Sequence, residues 1–166
     1  DPRRAETALE DMADLFRMAM ADSQEMVPLR REIELSRQYL ALEKLRLGDR
    51  LVENWQIDAA LNDAMLPRLI LQPLLENAVY HGIEPSSEGG TVDIKLQLIG
   101  KELHMDVRNP CREQCGLHKG NKMALENIRE RLDLQFDVEA KYTVESGSDF
   151  YHVHIQLPYV KGEPNE

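Results

Sequence analysis

Residues 68–82 read Arg68-Leu-Ile-Leu-Gln-Pro-Leu-Leu-Glu-Asn-Ala-Val-Tyr-His-Gly82, the most apolar stretch of a 166-residue chain. The stretch reads as a helix packed on a core. Pro73 must sit in its first turn, where the missing amide has no helical partner to lose. An asparagine in the middle of such a helix is disfavoured, because a carboxamide taken out of water needs hydrogen-bond partners. Asn77 and His81 stand one turn apart, so both can face the same cleft. An asparagine oxygen is a good ligand for Mg²⁺, which keeps several waters and takes its other oxygens from phosphates and one or two protein groups. The same residues also read as a plain helix end, with polar side chains facing solvent or capping a turn.

Upstream, residues 4–21 place Leu9, Met12, Leu15, Phe16 and Ala19 at helical spacing, and Asp22-Ser23 breaks the pattern. A second helix is predicted from about Val27 to Gly48, with Pro28 in its first turn and Gly48 as its stop. Its apolar residues form two stripes, Leu29, Ile33 and Leu40 beside Leu35, Tyr39 and Leu42. Two stripes suggest packing against both the first helix and the following domain, with a dimer contact as the alternative. Residues 51–57 alternate as a strand does.

Downstream, Ser86–Gly90 is a turn, and residues 91–99 and 102–107 make an antiparallel pair joined at Gly100-Lys101. Residues 109–121 lack periodicity and read as a loop. Residues 123–136 are amphipathic and helical, and residues 141–145 and 150–157 form another strand pair around Gly147. This order points to an α+β sandwich, with helices on one face of a mixed, mostly antiparallel sheet, preceded by a helical hairpin. The expected organisation is a helical segment over 1–48, a globular unit over 49–160 and a disordered tail over 161–166.

Thirty acidic residues against 20 basic ones give a formal charge of −10. No basic footprint for nucleic acid or an anionic membrane surface is present. A bound polyphosphate would need local donors to overcome the acidic field, and the segment Gly120-Asn-Lys-Met-Ala-Leu125, opening a helix, offers free amides where an anion can dock. No apolar run approaches a membrane span, and nothing at the start reads as a signal peptide. The first residues already look helical, so the chain is expected to be a piece of a longer protein, with the cytosol as its default compartment. Cys111 and Cys115 make no disulfide scaffold and are expected as two reduced thiols. With His118 they spell C-x₃-C-x₂-H, three ligand types for which no fourth is obvious, so a metal or redox switch is the lesser reading.

The string Leu71–Gly82 closely resembles the N box of LytS-type sensor histidine kinases, members of the GHKL ATPase superfamily. The segment Ala124-Leu-Glu-Asn-Ile-Arg-Glu-Arg-Leu132 resembles the one following their last glycine box. Tyr39-Leu-Ala-Leu-Glu-Lys-Leu-Arg-Leu-Gly-Asp-Arg50 resembles the helix leading into their ATPase domain. The resemblance implies a Bergerat-type fold with ATP bound beneath a mobile lid. It implies Asn77 as the Mg²⁺ ligand, with Tyr80 and His81 beside the nucleotide, and Asn109 where an aspartate normally accepts the adenine amino hydrogens. Residues 110–119 would be the lid, and Gly120, Asn121, Lys122, Met123 and Leu125 would cradle the phosphates. The acceptor histidine would lie upstream of residue 1, since none of the five histidines here sits in such a motif. His104, His152 and His154 occupy strand-like runs and are expected to be structural or exposed. The resemblance further implies a homodimer anchored in the inner membrane, with this region in the cytoplasm, and a LytTR-type response regulator as partner.

Four departures accompany it. The adenine box reads Asn109-Pro110-Cys111 instead of Asp-x-Gly, so an amide oxygen replaces the stronger, charge-assisted acceptor. Tyr80 stands where many kinases carry a phosphate-touching Lys or Arg. Lys122 and Ala124 occupy positions usually glycine, and Lys122 would be strained if a positive φ were required there. Its ammonium could instead restore the cation missing at position 80. Finally, Pro73 replaces the glutamate that activates water in the ATP-hydrolysing members, and Glu76 points about 100° away from Asn77 around the helix. Transfer to a histidine needs no activated water, because the imidazole is itself the nucleophile. These departures also fit a degenerate, non-catalytic module acting as a dimerising or partner-binding scaffold.

Overall fold

The computed structural model describes residues 2–9, 12, 25–112 and 119–162, with the backbone alone for 119–122. Residues 2–9 and 12 are helical. The elements that follow are β1 (Met26–Pro28), α1 (Leu29–Leu47), β2 (Leu51–Ile57), β3 (Ala64–Pro67) and α2 (Leu71–Ala78). After a π-helical turn at Val79–Ile83 come β4 (Gly90–Ile99), β5 (Glu102–Pro110), α3 (Lys119–Phe136), β6 (Lys141–Ser146), β7 (Phe150–Pro158) and β8 (Val160–Lys161).

Five strands form the main sheet in the order β2-β4-β5-β7-β6. Only β2 and β4 are parallel; every other neighbour pair is antiparallel. The three central strands, β4, β5 and β7, alternate between buried and less buried residues. Val92, Ile94 and Leu96 of β4, Leu103, Met105 and Val107 of β5, and Val153, Ile155 and Leu157 of β7 are all buried. Against them lie Leu71, Leu74, Leu75 and Ala78 of α2 and Leu125, Ile128 and Leu132 of α3, in one continuous core. The intervening strand residues, such as Lys95, Asp106 and His154, are not buried and define a second, polar face. The expected α+β sandwich, with its helices on one face of a mixed sheet, is the fold observed.

A second sheet, ordered β1-β3-β8, was not foreseen, because strands of two to four residues carry too little alternation to be recognised. It converts Val27 and Pro28, expected to begin a helix, into a strand pairing with β3, and it takes Lys161 out of the expected tail. Pro28 is then the N-cap of α1, and Gly48, at φ 60, is its C-cap as predicted. Only one side of α1 is buried among the described residues, through Leu29, Glu32, Ser36, Leu40 and Leu47. Of the second stripe, Tyr39 packs against the core and Leu35 is half-buried, while Leu42 is 67% exposed.

Two boundaries around the expected lid move. The strand predicted to end at Val107 runs on to Pro110, with Asn109 opposite Tyr151 and Pro110 opposite Phe150. Asn109 occupies the next inward position of the alternation, and a polar residue there hides the strand from an apolar pattern. The helix predicted from Met123 begins at Lys119, so Gly120, Asn121 and Lys122 are helical and no positive φ strains Lys122. Residues 113–118, most of the expected lid, lie outside the described residues.

Candidate functional site: the cleft at the end of α2

Asn77 is 8% exposed and lies on the inward face of α2 with Leu74, Leu75 and Ala78. Its carboxamide has no hydrogen-bond partner among the described residues. Glu76, next to it, is exposed and accepts from Gln72 Nε2 at 3.2 Å, so its carboxylate faces away from Asn77. Pro73 sits in the third position of α2, within the first turn, as its chemistry demands.

Beyond Ala78 the helix widens into the π turn, closed by Glu84 N–H donating to the Val79 carbonyl at 2.9 Å. The wider turn changes which side chains face inward. Tyr80 is 64% exposed, while His81 is half-buried and meets the Tyr80 ring edge-on, with centroids 4.8 Å apart. Gly82 is buried against β5. A Cβ there would stand 2.3 Å from Asn109 Nδ2 and 2.8 Å from the Pro110 carbonyl oxygen, so only glycine permits this approach. Asn109 is 3% exposed and its Nδ2 donates to the Pro110 carbonyl at 2.9 Å, which leaves Oδ1 as the open acceptor.

A cavity of about 420 Å³ opens beside this contact, walled by His81 and Gly82 on one side and by Pro110, Cys111 and Arg112 on the other. Asn77 does not line it. Cys111 is buried and disulfide-bonded, in place of the reduced thiol expected. Cys115 and His118 fall outside the described residues. At the start of α3, Met123 is 71% exposed and Leu125 is buried in the core. Gly82 thus meets Asn109 where the π turn passes the end of β5, with His81 in the adjoining cavity wall; Asn77 lies one turn upstream on α2, and Tyr80 and Met123 are exposed.

A family model described as histidine kinase matches residues 1–51. Sensor histidine kinase YpdA of Escherichia coli is 31% identical over 121 residues, which cover 68% of this chain and 21% of YpdA. Sensor protein LytS of Enterococcus faecalis is 26% identical over 180 aligned residues, covering 98% of this chain and 30% of LytS. The chain is a homologue of LytS-type sensor histidine kinases. It spans less than a third of the length of either relative. Among solved structures, Acinetobacter baumannii histidine kinase AdeS superposes with a TM-score of 0.63 at 10% identity, over 94% of this chain and 80% of that one. At that identity the likeness concerns the fold, which is the histidine-kinase catalytic fold.

Sequence reasoning missed what holds α2 in place. Glu32 of α1 is 1% exposed, and its Oε1 accepts from the Ile70 amide at 2.9 Å. Arg131 of α3 donates through Nη1 to the Leu69 carbonyl at 2.8 Å and through Nη2 to the Arg68 carbonyl. Between these two side chains Leu69 is held at φ 56, a conformation that a branched residue seldom adopts. Burial pushes the Glu32 carboxyl above its ordinary range, partly opposed by the Ile70 and Leu69 amides and then by Arg131. The signal was present: Glu32 and Ser36 fall on the buried line of α1 between Leu29 and Leu40. An acid on an apolar stripe marks a buried partner.

After α2, Arg50 performs the matching task. Its Nη2 donates to the Ser86 carbonyl at 2.7 Å and the Glu84 carbonyl at 2.8 Å, fixing the turn that follows the π segment. Arg46 adds an ion pair to Glu84 at 2.9 Å. Both arginines belong to the Tyr39–Arg50 segment noted in the sequence.

Proposed function

We propose that this chain is the ATP-binding region of a sensor histidine kinase, holding Mg-ATP for phosphorylation of a histidine upstream of residue 1. The observation that carries the reading is the Asn77 carboxamide, buried in an apolar helix without a protein partner among the described residues. Its polar atoms are not sealed from solvent, so the carboxamide is free to take a ligand. A Mg²⁺ ion bound to ATP phosphates supplies that partner. Asn109 Oδ1 would accept from the adenine amine, and Gly82 would let the nucleotide-bearing helix close on β5. His81, and Gly120, Asn121 and Lys122 at the start of α3, would flank the phosphates. Bound Mg-ATP brings an electrophilic γ-phosphorus and a cation that neutralises its developing charge. The protein's own contribution is position and dryness. No carboxylate faces Asn77 from Pro73 or Glu76, which suits transfer to a histidine rather than to water.

The motifs resemble those of the pseudomonad alginate-regulatory sensor AlgZ (FimS). On that resemblance the full-length protein is a homodimer anchored in the inner membrane that passes its phosphoryl group to a cytoplasmic LytTR-type regulator.

A scaffold without nucleotide is favoured by one observation. Residues 120–122 are wound into the first turn of α3 and do not form an open loop around a phosphate chain. Calorimetric titration with ATP separates the readings. Binding that requires Mg²⁺ and falls at least tenfold in Asn77→Ala supports the kinase site. Well-folded protein that binds no ATP supports the scaffold.

A further inference from the structure

The polar face of the main sheet carries a cluster that the nucleotide site does not use. His152 and His154 stand two residues apart on β7 and therefore on the same face. Asp106 on β5 lies directly opposite His154 and diagonal to His152 in the antiparallel register. All three are half-buried. His152 Nε2 and His154 Nδ1 both lie 2.7 Å from the same oxygen, Asp106 Oδ1. One ligand atom from each residue falls within 4.8 Å of the others. The cluster sits in an open groove of about 500 Å³, so a small ligand has access and water can reach it.

From this geometry we infer that Asp106, His152 and His154 form a binding site for a divalent transition-metal ion of the zinc class. Two imidazole nitrogens and a carboxylate oxygen are the donor types such an ion takes, whereas Mg²⁺ and Ca²⁺ favour oxygen alone. Tetrahedral bonds of about 2.0–2.1 Å require donors separated by roughly 3.3 Å. The two 2.7 Å contacts must open by well under 1 Å, and the two imidazole nitrogens, within 4.8 Å of each other, must come to the same spacing, which side-chain rotation can supply without moving the strands. Three protein ligands and a water from the groove complete a four-coordinate shell.

The surroundings orient the ligands. His104, the next outward residue of β5, places Nδ1 3.2 Å from His154 Nε2, the nitrogen facing away from Asp106. With His154 bound to metal through Nδ1, its Nε2–H donates to His104 Nδ1, which fixes the tautomer of His154. His104 Nε2 then carries the proton; it lies 3.5 Å from Glu102 Oε2 without forming a hydrogen bond. A ligand histidine backed by a second polar group is the outer-shell arrangement that strengthens metal sites. Two cations flank the cluster: Lys95 of β4 stands opposite Asp106, and Arg108, opposite His152, has its guanidinium 4.4 Å above the Phe150 ring. An ion here would pin β5 to β7 on the face opposite Asn109. The inference is independent of the nucleotide reading.

The test is calorimetric titration of chelator-treated protein with Zn²⁺, with Mg²⁺ as control, followed by Co²⁺ absorption to read coordination number. One Zn²⁺ per chain, no response to Mg²⁺ and the intense visible bands of four-coordinate Co²⁺ are expected. His152→Gln, His154→Gln and Asp106→Asn should each weaken Zn²⁺ binding at least tenfold, and His104→Gln about tenfold through orientation alone. Far-ultraviolet dichroism confirms that each variant is folded. No Zn²⁺ binding, or binding unchanged when His152 and His154 are both replaced, overturns the proposal and leaves a hydrogen-bonded triad only.

Discussion

Single residues set the chemistry of the cleft. Asn77 is the polar exception among the buried residues of α2, and Gly82 is the small residue that lets the π turn after it touch Asn109. Gly82→Ala should destabilise the fold by about 1–3 kcal/mol through overpacking and displace Asn109. Urea unfolding measures the first effect, and loss of ATP binding at a permissive temperature measures the second. Glu32 makes a pH-dependent contribution. Its folded pKa lies above the ordinary 4.5, so its contribution is full below that value and is lost as pH rises through the folded pKa. Wild-type stability relative to Glu32→Gln should therefore fall as pH rises from about 4.5, with a slope of at most about 1.4 kcal/mol per pH unit. Urea midpoints of both proteins across pH 4.5–7.5 decide it; a constant difference would contradict the burial argument. Asn77 was legible in the sequence because a carboxamide interrupts an apolar run. The partnership of Glu32 with Ile70 was not, because 38 residues separate donor and acceptor.

At the scale of elements, α2 is a short helix held at both ends by side chains from elsewhere. Glu32 and Arg131 grip the strained segment before it, and Arg50 grips the turn after it. Arg50→Ala leaves the Ser86 and Glu84 carbonyls without their charged donor and should cost about 1–3 kcal/mol. Amide exchange should show the loss concentrated in residues 79–89, whereas uniform loss of protection would mean that the arginine serves the whole core. Long, periodic elements were readable: α1, the β4–β5 and β6–β7 pairs and the body of α3 follow from their spacing. What escaped was the three short strands, the extension of β5 through Asn109 and the π turn. Each depends on hydrogen bonds to chain distant in sequence, which alternation and period do not record.

For the whole molecule, a single core joins α1, α2 and α3 to the main sheet, so a ligand bound beside α2 should stabilise the entire unit. At Mg-ATP about 100 times its Kd, linkage gives about 2.7 kcal/mol, or roughly 5–10 °C in melting temperature for a domain of this size. Differential scanning fluorimetry should show that shift in the wild type and its absence in Asn77→Ala; equal shifts in both would move the nucleotide away from α2. The sequence by itself determined the α+β class, the order of the long elements, the LytS-type resemblance and the candidate Asn77, because periodicity and local motifs are properties of neighbouring residues. Only the tertiary structure decided that Asn109 meets Gly82, that Glu32 and Arg131 clasp one loop, and that Asp106, His152 and His154 share one face. Those pairings arise from strand register and helix packing, which bring together residues separated by tens of positions.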